Sequence, residues 1–141
     1  TISKYCDNKK DWLFWAKKAF QASYGYEWQG DNVLIARENL LYTFIDYYKD
    51  KFKQSPTIKT QEGFAEIISW NIFQMDGLKY VIPMSCHHES KIIPGLFGEK
   101  SSIMEKHECE GCKDNRIHNG DYVKIMDWNK NKVIRFVDLI K

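Results

Sequence analysis

The chain has 141 residues, of which 43% are hydrophobic and 15% aromatic, and its formal net charge is +2. This composition excludes an intrinsically disordered chain and a miniprotein that depends on disulfides. Basic and acidic side chains are spread evenly along the sequence, so composition gives no sign of a nucleic-acid-binding tail. The length is typical of one domain.

The first half of the sequence predicts two helices joined by a short strand. Trp12, Trp15, Ala16 and Phe20 recur at helical spacing and predict an amphipathic helix from about residue 11 to 23. Residues 24–28 alternate large side chains around a glycine, which is typical of a strand.

A long helix is expected over residues 32–52, with Asp31 as its N-cap. Its apolar face is too broad for a helix with one neighbour, so we expect it to be central. The positions expected to face inward are Val33, Leu34, Ala36, Leu40, Leu41, Phe44, Ile45, Tyr48 and Phe52.

The second half begins with a third predicted helix, from about Thr60 to Gln74, which Gly77 ends. A strand is predicted at 78–82, and two closing strands at 122–126 and 133–139 are joined by a polar turn. Residues 85–119 have no periodicity, which is typical of a loop that needs something other than a core to hold it.

Cysteine and histidine are concentrated in this aperiodic segment. Cys109 and Cys112 form a Cys-x2-Cys motif, whose glycine lets both thiolates turn toward one cation. Cys86 precedes the motif and His118 follows it, so these four residues can form a closed ligand set. Thiolates with imidazole favour zinc, and a structural zinc ion would explain how so long a loop is held.

Alternatives stay open for the fourth ligand and for the state of the thiols. His87, His88 and His107 are possible substitutes for His118. The cysteines could instead be free thiols beside solvated histidines, whereas a disulfide is disfavoured because there is no secretory signal.

A catalytic metal is a further alternative. It would require three ligands, an open position for water, and a nearby base such as Glu89 or Glu108. The pair His118-Asn119 is superficially similar to part of an HNH nuclease, but no Asp-His pair stands on a strand ahead of a short helix.

These elements predict an α+β fold with three helices in an N-terminal part, short strands, and a zinc-stapled C-terminal loop and hairpin. Half of a Rossmann-like α/β sheet is the alternative. We expect residues 1–84 and 85–141 to be the two parts of one compact unit.

No apolar run reaches the roughly 20 residues of a membrane-spanning helix, and no charged-then-apolar leader is present. The sequence therefore predicts a cytoplasmic protein without a membrane partner. Thr1 in place of an initiator methionine predicts a processed product or an excised piece of a longer chain.

The chain resembles the C-terminal part of restriction-modification DNA methylases of bacteria and mobile elements, the type called restriction endonuclease subunit M. The similarity covers nearly all of Asp11 to Lys141 and rests on three strings, YGYEWQGDNVLIARENLLYTFIDYYKDKF, AEIISWNIFQMDGLKYVIP and HNGDYVKIMDWNKNKVIRFVDLIK.

The resemblance implies that a parent protein is an adenine-type methyltransferase that uses S-adenosylmethionine. It implies that Glu27, which ends the first strand, accepts hydrogen bonds from the ribose hydroxyls of that cofactor. A plain surface or helix-terminal charge is the alternative for Glu27.

Two motifs of that family are missing. No glycine loop precedes Tyr24, and no Asn/Asp-Pro-Pro-Tyr/Phe tetrapeptide is present, since Asp127-Trp128-Asn129 lacks the prolines. The chain is therefore expected to be an inactive C-terminal fragment whose partner is a missing N-terminal methyltransferase region.

DNA is the other expected partner. Positive side chains on a hairpin can follow a phosphate backbone, so Trp128, Lys130, Lys132 and Arg135 are candidate DNA contacts, with a solvated turn as the alternative. The competing hypothesis is a stand-alone, non-enzymatic zinc-containing interaction module of a phage or mobile element.

Overall fold

Helices joined by short strands make up the chain in a computed structural model, which describes residues 6–87, 89–90, 106–107, 109–114 and 117–140. The elements are α1 (Lys9–Gln21), β1 (Gly25–Glu27), α2 (Gly30–Phe52), α3 (Ile58–Asn71), β2 (Ile72–Gln74), β3 (Glu89–Ser90), β4 (Lys106–His107), α4 (Glu110–Asp114), β5 (Lys124–Asp127), β6 (Lys132–Arg135) and a 3-10 helix (Phe136–Leu139). The mixed helix-and-strand fold class is confirmed. None of the described helices is long and apolar enough to cross a membrane.

Helix α1 begins at Lys9 because the side chain of Asn8 accepts a hydrogen bond of 2.8 Å from the amide of Asp11. Trp12 and Ala16 are buried as predicted. Trp15 was expected on the same stripe, but its side chain is 54% exposed. The buried face of this short helix is therefore narrower than its apolar spacing indicates.

Helix α2 starts at Gly30, so Asp31 lies inside the first turn and the predicted N-cap is wrong. The N-cap residue is Gln29, whose side chain makes no capping hydrogen bond. At the other end, Lys53 takes a left-handed conformation with φ 53°, and its amide donates to the carbonyl of Lys49. This turn ends the helix without a glycine.

An aromatic core joins the first three helices. Phe44 of α2 stacks on Phe64 of α3 with ring centroids 3.7 Å apart, and the Trp12 ring contacts Tyr48 edge-on at 5.8 Å. Stacked and edge-to-face pairs add to the free energy gained from burying the rings. Val33 and Leu34 were both expected to face inward; Val33 is buried, but Leu34 is 61% exposed.

Helix α3 ends at Asn71, and the predicted continuation to Gln74 is wrong. Ile72 takes extended angles (φ −112°, ψ 111°), and residues 72–74 pair in parallel with β1. The guanidinium of Arg37 on α2 donates to the carbonyls of Ile72 (2.8 Å) and Ser69 (2.9 Å). The backbone hydrogen bonds to β1 and the hydrogen bonds from Arg37 replace the hydrogen bonds that another helical turn would have made.

The prediction of a strand at 78–82 is also wrong. In this segment a single β-bridge joins Val81 to Tyr122. The carboxylate of Asp76 accepts hydrogen bonds from the amides of Leu78 and Lys79, which folds the segment into a turn. Leu78 is 84% exposed as a result.

The closing hairpin is shorter than predicted. Strands β5 and β6 pair from Lys124↔Arg135 to Asp127↔Lys132, and the chain then enters the 3-10 helix instead of extending the second strand. A second cluster of apolar residues lies beneath the hairpin and β2. Its buried members are Phe73, Met75, Val123 and Ile125.

Candidate metal centre

Three cysteines and one histidine converge in the C-terminal part of the chain. The Sγ atoms of Cys86, Cys109 and Cys112 and a ring nitrogen of His118 all lie within 4.8 Å of one another. These are the four residues that the spacing of the sequence predicted. The cluster can hold a metal ion such as zinc.

The distances within the cluster fit tetrahedral zinc. His118 Nδ1 lies 3.8 Å from the Sγ atoms of Cys86 and Cys109 and 3.6 Å from that of Cys112. Zinc bond lengths of about 2.3 Å to sulfur and about 2.0 Å to nitrogen put such ligands about 3.5 Å apart in a tetrahedron. One nitrogen can donate only one proton, so hydrogen bonding alone does not account for three sulfur neighbours.

The Cys-x2-Cys motif turns through the start of α4. The amides of Cys112 and Lys113 both donate to the carbonyl of Cys109, at 2.8 Å and 3.3 Å. A Cβ added at Gly111 would lie 2.5 Å from the carbonyl oxygen of Ile117. Glycine therefore allows the segment that carries His118 to pass directly against the turn.

A second glycine, Gly120, lets the loop that carries Cys86 approach the His118 segment closely. A Cβ at Gly120 would lie 2.7 Å from Ser85 Oγ and 3.1 Å from Cys86 Sγ. The Ser85 hydroxyl oxygen also accepts a hydrogen bond of 3.0 Å from the amide of Asp121. The loop that carries Cys86 is thus packed against the chain two residues beyond His118.

Hydrogen bonds around the cluster hold the ligands in place. The amide of Asn119 donates to Cys109 Sγ at 3.4 Å, and the amide of His118 donates to the Tyr122 hydroxyl oxygen at 2.9 Å. The Asn119 side chain exchanges two hydrogen bonds with the backbone of His87, at 2.9 Å and 3.1 Å. Such supporting contacts fix ligand orientation in metal sites.

Burial and local dipoles change the acidity of the thiols in the metal-free chain. Burial, followed by the neighbouring Cys112 thiol, raises the pKa of Cys86 to about 11. Burial also acts to raise the pKa of Cys109, but hydrogen bonds from backbone amides outweigh it and the pKa is lowered. Cys109 is therefore deprotonated for metal binding more readily than Cys86.

Lys79 places a positive charge beside the thiols. The pKa of Lys79 is raised, mainly by a hydrogen bond to the Cys112 side chain. Zinc with three thiolates and a neutral imidazole would carry a net charge of about −1. A protonated Lys79 next to these four ligands would offset the negative charge of the zinc complex.

Four converging ligands close the coordination shell and leave no position for a catalytic water. The side chain of Glu89, and all of Glu108, lie outside the described residues, as do His88 and the side chain of His107. His87 is described, but His118 is the histidine that joins the three sulfurs.

Glu27 lies at the end of β1, apart from this cluster. Its Oε1 atom accepts hydrogen bonds from the amides of Trp28 (2.8 Å) and Gln29 (3.3 Å). The Glu27 carboxylate thus stabilises the start of α2, which agrees with the alternative of a helix-terminal charge. Two amides already donate to its Oε1 atom.

The four hairpin residues differ in their burial and contacts. The Trp128 ring is half-buried, and Nε1 donates to Oδ1 of Asn71. Lys130 lies 3.7 Å from the Asp127 carboxylate, and Arg135 makes two hydrogen bonds with Asp138. Lys132 pairs with Asp127 across the strands and is exposed.

The sequence interpretation missed the supporting residues Asn119, Tyr122 and Lys79. Asn119 follows a proposed ligand directly, and that position could have identified it. No pattern in the sequence marks Tyr122 or Lys79, because their contacts with the cluster depend on the bridge between Val81 and Tyr122.

Comparisons of the chain with protein-family models, with curated proteins and with solved structures found no match.

Proposed function

We propose that the cluster is a structural zinc site and that the chain acts as a zinc-stabilised, non-enzymatic interaction module. The observation that carries this proposal is the convergence of three Sγ atoms to within 3.6–3.8 Å of one imidazole nitrogen. Those residues supply a full tetrahedral set, which is typical of structural rather than catalytic zinc.

The metal would join three segments of the chain that also contact one another through hydrogen bonds. Cys86 follows the Val81 bridge, Cys109 and Cys112 flank the start of α4, and His118 precedes β5. Bonds to one ion would tie these three segments together. Metal binding would then contribute directly to the free energy of folding.

Metal analysis of the purified chain tests the proposal. We expect about one zinc ion per chain, and we expect a chelator to lower the melting temperature. Cys109→Ser should abolish stoichiometric zinc, whereas Cys6→Ala, which removes a thiol outside the cluster, should retain it. A metal-free wild-type chain with three reactive thiols would overturn the proposal.

A second candidate is the C-terminal part of a DNA methyltransferase-like restriction-modification protein. The observation that favours it is the parallel pairing of β1 with β2 through a helical crossover, with Glu27 at the carboxyl end of β1. Ligands of parallel α/β sheets bind at that end of the strands. The remaining oxygen of Glu27 would accept a ribose hydroxyl of S-adenosylmethionine.

Calorimetry with S-adenosylmethionine on the longer parent protein tests this candidate. Glu27→Gln should weaken binding, while Glu38→Gln, an equal change on an exposed face of α2, should not. A reading frame upstream of Thr1 without a glycine loop and a proline-rich catalytic turn would contradict the methyltransferase candidate and leave the zinc proposal unaffected.

A further inference from the structure

A cleft of about 660 Å³ lies between the α3–β2 segment and the closing hairpin. Its volume falls within the roughly 300–1,000 Å³ of small-molecule sites. None of the four metal ligands lines it, although Gly120 and Tyr122, which do, also contact the metal cluster. The lining residues that matter here are Arg37, Trp70, Tyr122, Lys124, Arg135 and Asp121.

Positive charge predominates in this cleft. Arg37, Lys124 and Arg135 line it, against the single carboxylate of Asp121. Arg37 donates to two carbonyl groups, so these partners do not neutralise its charge. Lys124 is exposed and makes no ion pair with the residues that the structure describes. The cleft therefore suits an anion.

Arg135 plays a different part from the other two cations. Its guanidinium makes two hydrogen bonds with the Asp138 carboxylate, at 2.8 Å and 3.0 Å, so its charge is largely balanced. It also lies over the Tyr122 ring, 5.8 Å from the centroid. These contacts hold one wall of the cleft in a fixed arrangement and leave Arg37 and Lys124 to meet the anion.

Aromatic side chains line the same cleft. Trp70 and Tyr122 are half-buried, and Phe73 is buried behind them. Planar rings beside cations match a ligand that combines a flat heterocycle with a negative group. Nucleotides have that combination, because every base has a face that stacks on aromatic rings and every nucleotide carries a phosphate.

We propose that this cleft binds a phosphate-bearing nucleotide unit, with the base stacked on Trp70 and the phosphate held by Arg37 and Lys124. The unit can come from a free mononucleotide or from single-stranded nucleic acid, since both present the same chemistry. The proposed contacts involve none of the four metal ligands, and the ligand differs from S-adenosylmethionine, which has no phosphate.

Fluorescence anisotropy of a labelled oligothymidylate with the full chain tests the proposal, with thymidine 5′-monophosphate, thymidine and inorganic phosphate as competitors. Lys124→Gln should weaken binding and reduce the slope of log affinity against log salt by about 0.7, the value for one phosphate contact on a single strand. Lys59→Gln makes the same charge change on an exposed site outside the cleft and should leave affinity unchanged.

Trp70→Leu should weaken binding by roughly fivefold or more, because the loss of one stacked base costs at least about 1 kcal/mol of binding free energy. Trp70→Phe keeps an aromatic ring and should restore most of the affinity, which separates stacking from a general packing defect. Circular dichroism of each variant checks that the fold is retained, and Lys124→Gln changes an exposed side chain in any case.

Tight binding of the oligonucleotide with weak competition by the monophosphate supports nucleic acid as the source. Equal affinity for the monophosphate supports a free nucleotide. The proposal is overturned if neither ligand binds, if thymidine competes as well as its monophosphate, or if Lys59→Gln lowers affinity as much as Lys124→Gln.

Discussion

Trp128 and Asn71 are joined by a hydrogen bond of 2.7 Å from the indole Nε1 to the amide Oδ1. The Asn71 side chain is nearly inaccessible, with 1% of its surface exposed. Its Nδ2 donates to the carbonyls of Phe20, Gln21 and Ser23. One amide thus links the end of α1, the end of α3 and the hairpin turn.

Asn71→Leu should destabilise the chain by about 2–4 kcal/mol, because it removes the acceptor of the half-buried Trp128 indole N–H and the side-chain donor to three carbonyls. Urea unfolding monitored by circular dichroism measures the change. The same substitution at exposed Asn39 should stay within about 0.5 kcal/mol. A loss at Asn71 no larger than at Asn39 would show that the amide does not link these segments.

Trp128→Phe should cost about 1–3 kcal/mol, since it removes the donor to Asn71 Oδ1 and some packing. We expect it to leave DNA affinity of a longer parent protein unchanged, because the indole N–H is already used within the fold. If DNA affinity fell by more than the loss of stability explains, the Trp128 ring would lie in a DNA interface.

Charge reversal at Lys130 and Lys132 should weaken DNA binding by that longer protein and flatten its salt dependence, if the hairpin turn follows the phosphate backbone. Lys59→Glu on α3 is the control, because Lys59 is exposed and distant in sequence from the hairpin. Unchanged affinity in the hairpin variants would remove the turn from the DNA interface.

Gly111→Ala should weaken zinc affinity by about tenfold or more, because its Cβ would lie 2.5 Å from the Ile117 carbonyl oxygen and displace the His118 segment. Competition with a chromophoric chelator measures the affinity. Gly63→Ala is the matched control. No atom lies within 4 Å of its added Cβ, and an alanine inside α3 should stabilise the helix by about 0.5–1 kcal/mol.

Tyr24 should make stability fall in alkali. Its hydroxyl donates to the Met126 carbonyl at 2.7 Å, and burial, followed by the charge of Asp127, raises its pKa above 10.0. Since the folded chain holds this proton more tightly, the contribution is complete below pH 10.0 and is lost as pH rises through the folded pKa.

Unfolding free energies measured in urea between neutral pH and this alkaline range test the effect. Tyr24→Phe should be less stable than wild type at neutral pH but should lose less stability in alkali. Tyr47→Phe is the control, because the Tyr47 side chain is 61% exposed. Parallel pH profiles for wild type and Tyr24→Phe would contradict the assignment.

The sequence by itself determined the elements whose signals are local. Helical spacing located α1, α2 and most of α3. The Cys-x2-Cys motif, with one cysteine before it and one histidine after it, indicated the four clustered residues, while His87, His88 and His107 stayed open as alternatives for the fourth ligand. Ligand chemistry restricts such a set to few residue types, so spacing carries most of the information.

Only the tertiary structure decided the features that depend on distant partners. Residues 72–74 form a strand because β1 supplies the hydrogen bonds that another helical turn would have supplied. Val33 and Leu34 were both predicted to face inward, but Val33 is buried and Leu34 is exposed, because the neighbours of α2 determine which part of its apolar face is covered. Likewise, Arg37, Trp70 and Lys124 line one cleft although they lie on α2, α3 and β5. Burial and pairing free energies depend on contacts between segments far apart in sequence, and no local pattern contains them.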